Sequence, residues 1–465
     1  MDGEKFGLDD VTVTDEKVIK RAVQAAALGN VTEWYDFGVY SYLTAIIAKV
    51  FFSGLPNGLA LVATLGTFAV SFLIRPFGGL FFGPLGDRVG RTKVLSITVI
   101  MMAIGTFILG VIPSYAAIGI AAPLLVLFGR LVQGFSTGGE YGGAMTFIAE
   151  YAPDKRRGFL GSWLEFGTLT GYVMGATLVT VLTTVLSDSQ MLSWGWRIPF
   201  LLALPLGIVG LYLRLRLEET PAFQKLVAHS EQHEGTPTGA AFKLIFVKHW
   251  RAVLVVGGLV IAWNVTNYML TSYMPTYLTT TLPDHGEDGT SETTSEILQI
   301  VVLLILIVII TFMGRLSDRF GRRPVLLGGC IALIVLSLPA VLLLRLGGIA
   351  PTFIGLMVMG LMLVCFSSTC PSTLPAMFPT EIRYGGLSIA FNLFVSAFGG
   401  TTAAVMGGLV LATGDLNWPG YYLIAAGVVG AISVYFLKES ARKPLAGSDP
   451  SVSTDAEARE VVAAQ

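Results

Sequence analysis

The sequence predicts an all-α membrane protein of twelve transmembrane helices, arranged as two pseudo-symmetric six-helix bundles. Three observations lead there. The 465 residues are 53% hydrophobic and only 13% charged, with a mean hydropathy of +0.71, whereas about a quarter of a soluble domain is charged. Apolar runs of about 20 residues, the length that crosses a bilayer core, recur twelve times along the chain. A glycine- and arginine-rich stretch, G-x-L-x-D-R-x-G-R, occurs at Gly83–Arg91 and again at Gly314–Arg322, 231 residues apart and so close to half the chain.

The elements follow in order. Residues 1–21 are polar and acidic and lack the apolar core of a cleavable signal peptide. The first bundle occupies 22–216, with spans near 22–50, 59–82, 94–112, 118–149, 159–186 and 198–216. A polar linker with a Gly-Thr-Pro-Thr-Gly turn at 235–239 fills 217–250. The second bundle occupies 251–438, with spans near 252–279, 297–314, 325–345, 351–377, 385–412 and 419–437. The tail occupies 439–465; from Ala446 to Gln465 it is short, polar and rich in small residues, and disorder is expected there. With both termini cytoplasmic, all but five of the 30 lysines and arginines fall on cytoplasmic segments, as the positive-inside rule requires. The loop from Asp284 to Glu296, with five acidic residues and no lysine or arginine, then faces outward.

In each repeated stretch the glycines permit a tight turn, the arginines stay in the cytoplasmic layer, and the aspartate lies near a neighbouring helix end where its charge can be paired. Internal duplication of a six-helix unit is how many secondary transporters build a midplane site. On this motif the chain resembles the major facilitator superfamily, in which the pattern lies between the second and third helices of each half. The resemblance implies that Gly83, Asp87, Arg88, Gly90 and Arg91, with Gly314, Asp318, Arg319, Gly321 and Arg322, form conformational-switch loops.

Ionisable residues inside spans are costly unless paired or wetted, so they mark function or helix-holding ion pairs. In the first span Asn30, Glu33, Phe37 and Tyr40 share one helical face, and Asp36 flanks it. Arg75 in the second span lies too deep to snorkel and needs a carboxylate partner. Arg130, Gln133, Thr137, Glu140 and Tyr141 form a polar stripe on the fourth span, interleaved with glycines that allow close helix approach. Glu165 in the fifth span completes the set. The second half offers neutral and aromatic groups instead: Trp263, Asn264, Asn267, Tyr268 and Tyr273 in the seventh span and Asn392 in the eleventh. This asymmetry suits a device in which one half carries the ion and the other helps to define the solute, although aromatics are also ordinary packing.

Longer stretches, among them Ile74–Gly79, Gln133–Glu140, Ala149–Asp154, Trp194–Phe200 and Leu374–Thr380, are similar to the metabolite:proton symporters of that superfamily. The similarity implies a proton-coupled symporter that imports a small zwitterionic osmolyte, proline or glycine betaine, with an organic acid (2-oxoglutarate, citrate, shikimate or an aromatic acid) as the alternative cargo. Glu33, Asp36, Arg75, Arg130, Glu140 and Glu165 are then the candidates for proton coupling. Asn30, Trp34, Tyr40, Gln133, Trp263, Asn267 and Tyr268 are the candidates for solute binding, within a cavity lined by spans 1, 4, 5, 7, 10 and 11. A dicarboxylate would want two cations converging on that cavity, and Arg75 with Arg130 could be such a pair.

The four histidines lie in loops or at a helix edge, and the three cysteines lie singly in spans without paired spacing. No nucleophile, nucleotide or metal motif is present, so no enzyme activity, cofactor or metal is expected. The expected partners are a small solute, protons and the lipid bilayer, with no nucleic acid and a monomer favoured. A solute sensor that does not transport is a different class of function, and it would ordinarily append a signalling domain that this sequence lacks.

Overall fold

A computed structural model describes residues 7–55, 57–215, 218–230 and 243–463. Twelve long helical segments cross it: α1 (Glu16–Phe51), α2 (Asn57–Leu73, continuing after a break as Arg75–Val89), α3 (Arg91–Val111), α4 (Ala121–Tyr151), α5 (Arg157–Val185), α6 (Arg197–Leu215), α7 (Trp250–Asp284), α8 (Glu292–Phe320), α9 (Arg322–Arg345), α10 (Ile349–Thr373), α11 (Thr380–Thr413) and α12 (Trp418–Phe436). Among the described residues nine of these are long and apolar enough to cross a membrane, and a bent pair ending in α6 makes ten. The two that fall short, α1 and α4, each carry several buried charged residues: Glu33 and Asp36 on α1, and Arg130, Glu140 and Glu150 on α4. They are sheltered by protein rather than lipid: nearly every residue from Gly29 to Tyr40 and from Gln133 to Tyr151 is buried.

Within the first half α1 lies along α5, α3 along α6 and α2 along α4; within the second, α12 packs on both α7 and α9. The halves meet where α2 touches α11 and where α5 touches α8. A shift of one bundle onto the other exchanges these two seams, as a duplicated unit requires. Close approach of α1 and α5 depends on Gly167, Gly171 and Gly175, where an added Cβ would lie 2.4, 2.3 and 2.6 Å from carbonyl oxygens of Ala27, Val31 and Tyr35.

Two expectations need correction. The repeated stretches are not loops for most of their length: α2 runs to Val89 and α8 to Phe320, so only Gly90 and Gly321 turn the chain, at φ of 117° and 100°. A single left-handed residue suffices there, and glycine supplies it without strain. The tail is ordered rather than disordered. Its Ser451–Val452 (β2) pairs in parallel with Thr12–Val13 (β1), and a helix at Asp455–Ala463 buries Ala458 against Val11 and Val452. Burial of these few apolar side chains gives the polar segment the small core that composition alone did not reveal. In the linker, Pro221–Ser230 is helical, while the turn at 235–239 lies outside the described residues.

Candidate functional site

Two groups of buried polar residues stand out within the spans of the first half. In one, Asp36 of α1 and Arg130 of α4 form an ion pair of 2.7 Å with both side chains fully buried. Gln133, one turn beyond Arg130, accepts from its guanidinium at 2.8 Å and donates to the second Asp36 oxygen at 2.9 Å and to Thr106 at 2.7 Å. Ser71 accepts a further, longer bond, and the guanidinium lies 4.2 Å over the Tyr40 ring, whose hydroxyl is held by Thr67. A bidentate acid neutralised by one arginine and one amide is a closed network with its charge balanced inside protein.

The second group lines a cavity between the halves. Its wall is Trp34 of α1, Arg75 of α2, Tyr141 of α4 and Glu165 of α5 on one side. Trp263, Asn264, Asn267 and Tyr268 of α7, with Phe391 and Val395 of α11, form the other. The cavity leaves only about 10 Å³ for the centre of a water molecule, the room of a single water, so the walls must part to admit a solute.

The two ends of this cavity differ in charge. Arg75 belongs with Tyr268, Trp34 and Phe72: the Phe72 and Tyr268 rings meet edge to face at 5.3 Å, and the guanidinium lies 4.3 Å over Phe72 and 4.8 Å over Phe37. The expected carboxylate partner of Arg75 is replaced by aromatic faces, and its Nε and Nη2 meet no hydrogen-bond acceptor among the described residues. Glu165 belongs with Tyr141 and Trp263. It accepts from the hydroxyls of Tyr141 and, at 2.9 Å, of Thr168, and it forms no ion pair among the described residues. Tyr141 stacks on Phe391 at 4.9 Å, and the Trp263 N–H donates to Ser367 at 2.9 Å.

Of the solute-binding candidates, Trp34, Trp263, Asn267 and Tyr268 line the cavity. Asn30, Tyr40 and Gln133 do not. Asn30 reaches across to α5, donating to Thr168 and to the Leu164 carbonyl, while Tyr40 and Gln133 serve the Arg130 network. The shared helical face of α1 therefore splits among three neighbours, because in a bundle this crowded each turn meets a different helix. Among the coupling candidates Arg75 and Glu165 reach the cavity; Glu33, Asp36, Arg130 and Glu140 are buried without lining it. Among the lining residues α2 takes a place expected for α10. Tyr141 appeared in the sequence only as part of a polar stripe, and Phe391 carried no signal beyond its apolar character. Among the described residues no His, Cys, Asp and Glu group is placed to hold a metal.

The repeated stretches build two latches on the face that bears both termini. Asp87 at the end of α2 accepts from the backbone N–H groups of Tyr384 and Gly385 at 3.2 and 2.7 Å, capping the start of α11. Asp318 at the end of α8 accepts from Gly158 and Phe159 at 2.7 and 2.8 Å, capping the start of α5. Each aspartate thus holds the opposite half by its helix dipole. Arg91 and Arg322, one residue past each turn, are fully buried. Arg91 donates to the Thr380 carbonyl and Arg322 to the Ser372 carbonyl, both at 2.8 Å. Glu219 and Glu439, after α6 and α12, accept from the first amides of α3 and α9. Burial would raise the Glu439 carboxyl, but the amides of Ala441, Arg322 and Arg323 and the Arg322 charge overcome that and hold it below its ordinary value. Arg88 and Arg319 are exposed on the same face.

Residues 22–241 match the "Sugar (and other) transporter" family model and residues 278–461 match the "Major Facilitator Superfamily" model. A proline/betaine transporter of Salmonella typhimurium is 49% identical over 462 residues, covering 98% of this chain and 90% of its own. The chain belongs to the proline/betaine transporters of the major facilitator superfamily. It is thus a multi-pass membrane protein. A glycine betaine/proline/ectoine/pipecolic acid transporter of Dickeya dadantii is 47% identical, with 98% and 91% covered. In solved structures the fold recurs in the proton:xylose symporter XylE bound to 6-bromo-6-deoxy-D-glucose, at a TM-score of 0.76 and 19% identity over 93% of this chain and 98% of that one.

Proposed function

We propose that the protein imports a small zwitterionic osmolyte, proline or glycine betaine, together with a proton, by alternating access across the inner membrane, as a monomer with both termini cytoplasmic. The observation that carries this reading is the polarity of the cavity. One end holds a guanidinium with two N–H groups available for a carboxylate, and the other holds a lone carboxyl among Tyr141, Trp263 and Phe391. A betaine needs a cation-binding surface without donors to its methyl groups, and aromatic faces supply about 0.5–2 kcal/mol each. Its carboxylate is then met bidentately by Arg75. An organic diacid would want two converging cations, and Arg130, held by Asp36 and Gln133 away from the cavity, does not supply the second.

In this reading the proton and the solute occupy different places. Asp36 takes the proton when Arg130 turns from it, Glu33 and Glu140 lie beside the route, and Glu165 meets the positive end of the solute. The bundles 22–216 and 251–438 rock about the cavity, and the two latches close the inner face. The similarity to relatives whose names specify proline and betaine supports the choice of cargo.

The test is uptake and counterflow in proteoliposomes. Asp36→Asn is expected to abolish accumulation driven by a pH gradient while sparing counterflow of labelled betaine. Arg75→Ala and Glu165→Gln are each expected to raise the KM for betaine. Coupled accumulation that survives Asp36→Asn and is lost in Glu165→Gln would move the proton to Glu165; uptake of a dicarboxylate but of neither osmolyte would overturn the cargo.

A further inference from the structure

The tail crosses from one half to the other over the face that carries the termini. Its first anchor is on the second half. The Thr380 hydroxyl donates to the Gly447 carbonyl at 2.7 Å and lies 2.8 Å from the Ser448 hydroxyl, while Arg383 donates to the Ala446 carbonyl at 2.6 Å, and Leu445 is buried. Its second anchor is on the first half. The Ser451 amide donates to Asp154 at 3.1 Å, Thr12 and Thr14 donate to the carbonyls of Pro450 and Val452, and the terminal helix packs on Val11. Between the anchors Asp449 pairs at 2.6 Å with Lys225 of the linker helix.

Four residue steps separate Gly447 from Ser451, and an extended chain covers at most about 14 Å in that distance. The segment is therefore short enough to limit separation of the halves on this face while both anchors hold. Beneath it lies a cavity of about 240 Å³ of mixed lining, with Glu150, Arg157, Thr380 and Ser451 beside Leu226 and Leu445. Between the buried ends of the segment, Ala446 and Gly447 are exposed and Ser448 and Asp449 half-buried, so water can replace the polar bonds made there when an anchor lets go.

We propose that residues 446–452 are a strap that holds the terminal face closed, and that one anchor must release each time this face opens. The strap acts on the latch itself and not on the cavity, whatever solute is carried. The paired strands are its grip on the first half and the Thr380 site its grip on the second.

The experiment uses the full chain with its three native cysteines replaced by alanine. Val13→Cys/Val452→Cys joins ladder partners at one anchor, and Thr380→Cys/Ser448→Cys joins the other. With both pairs oxidised, uptake is expected to fall about tenfold or more, because opening of the gate then limits turnover, and a reductant should restore it in the same sample. A second arm needs neither crosslink nor cargo. Ser317→Cys places a thiol in the closed seam, and adding Thr380→Val with Ser451→Pro should speed its modification by a membrane-impermeant reagent several-fold. Full uptake by the doubly crosslinked protein, or an unchanged modification rate after both anchors are weakened, would overturn the strap.

Discussion

The first latch has at its centre a carboxylate that the second lacks. Arg91 and Arg383 converge on Glu150, at 3.4 and 2.7 Å, and Thr220 donates to the same group at 2.5 Å. In the second latch Arg322 and Arg157 hold the equivalent places, since Arg157 precedes the amides capped by Asp318 as Arg383 precedes those capped by Asp87. The position matching Glu150 is Ala376, 226 residues on, the same interval that separates Arg157 from Arg383. Without a shared acid each arginine finds other partners. Arg157 turns to Asp154 and to the Lys443 carbonyl, Arg322 turns to Ser372 and Ser440, and Nε and Nη2 of Arg322 meet no acceptor among the described residues. Two of these substitutes come from the tail. Duplication thus preserved the helix caps, whose geometry the turn dictates, and let the charge between the arginines diverge once another segment could satisfy them.

The sharpest way to break the comparison is Glu150→Gln. It leaves two buried guanidinium groups without their shared charge, and loss of one partner of a buried pair costs about 3–5 kcal/mol. Thermal unfolding in detergent should show that loss, and an unchanged midpoint would mean that the first latch is no more dependent on a central acid than the second.

Asp87→Asn and Asp318→Asn sharpen it from the other side. Both caps accept two amides at the start of a helix, so each substitution should cost about 1–2 kcal/mol, as N-cap losses do, and both should increase labelling of the seam to a similar extent. A much larger effect at one of them would place the asymmetry in the caps as well. The smallest effect is expected at Glu439. Its folded carboxyl titrates below 4.5, so its contribution is fully present above that pH and is lost as the pH falls through the lower folded value. Glu439→Gln should therefore lower the unfolding midpoint at neutral pH, and the gap between variant and parent should narrow in acid. A gap that stays constant to pH 3 would remove the carboxylate from the latch.

The twelve spans, the duplication and the polar residues of α1, α4 and α5 were legible because lipid forces long apolar runs and makes every buried charge conspicuous. Which charges meet was not legible. Asn30 and Asp36 lie less than two turns apart on α1, yet one reaches α5 and the other α4, and only packing decides that. The aromatic shelter of Arg75 was hidden for the same reason: Phe37 and Phe72 read as ordinary core until the helices are set side by side. The pairing of Glu219 and Glu439 with the turns left a trace, a matching position after the last helix of each half, but their acceptor role needs the three-dimensional turn. The tail was misread because a two-residue strand pair has no periodicity to detect.

The ion pair between Asp36 and Arg130 also dictates a timetable. The chain emerges from the ribosome amino terminus first, and the two residues are 94 positions apart. At about 5–20 residues per second, the helix bearing Asp36 waits on the order of ten seconds before its counterion exists. During that interval Asp36 has no arginine of α4 to share, and α1 is one of the two long helices that fall short of a membrane span by composition. Its settlement in the bilayer therefore depends on what stands beside it at the translocon until α4 arrives, so that the earliest vulnerable moment in this protein's life comes before any solute has been bound.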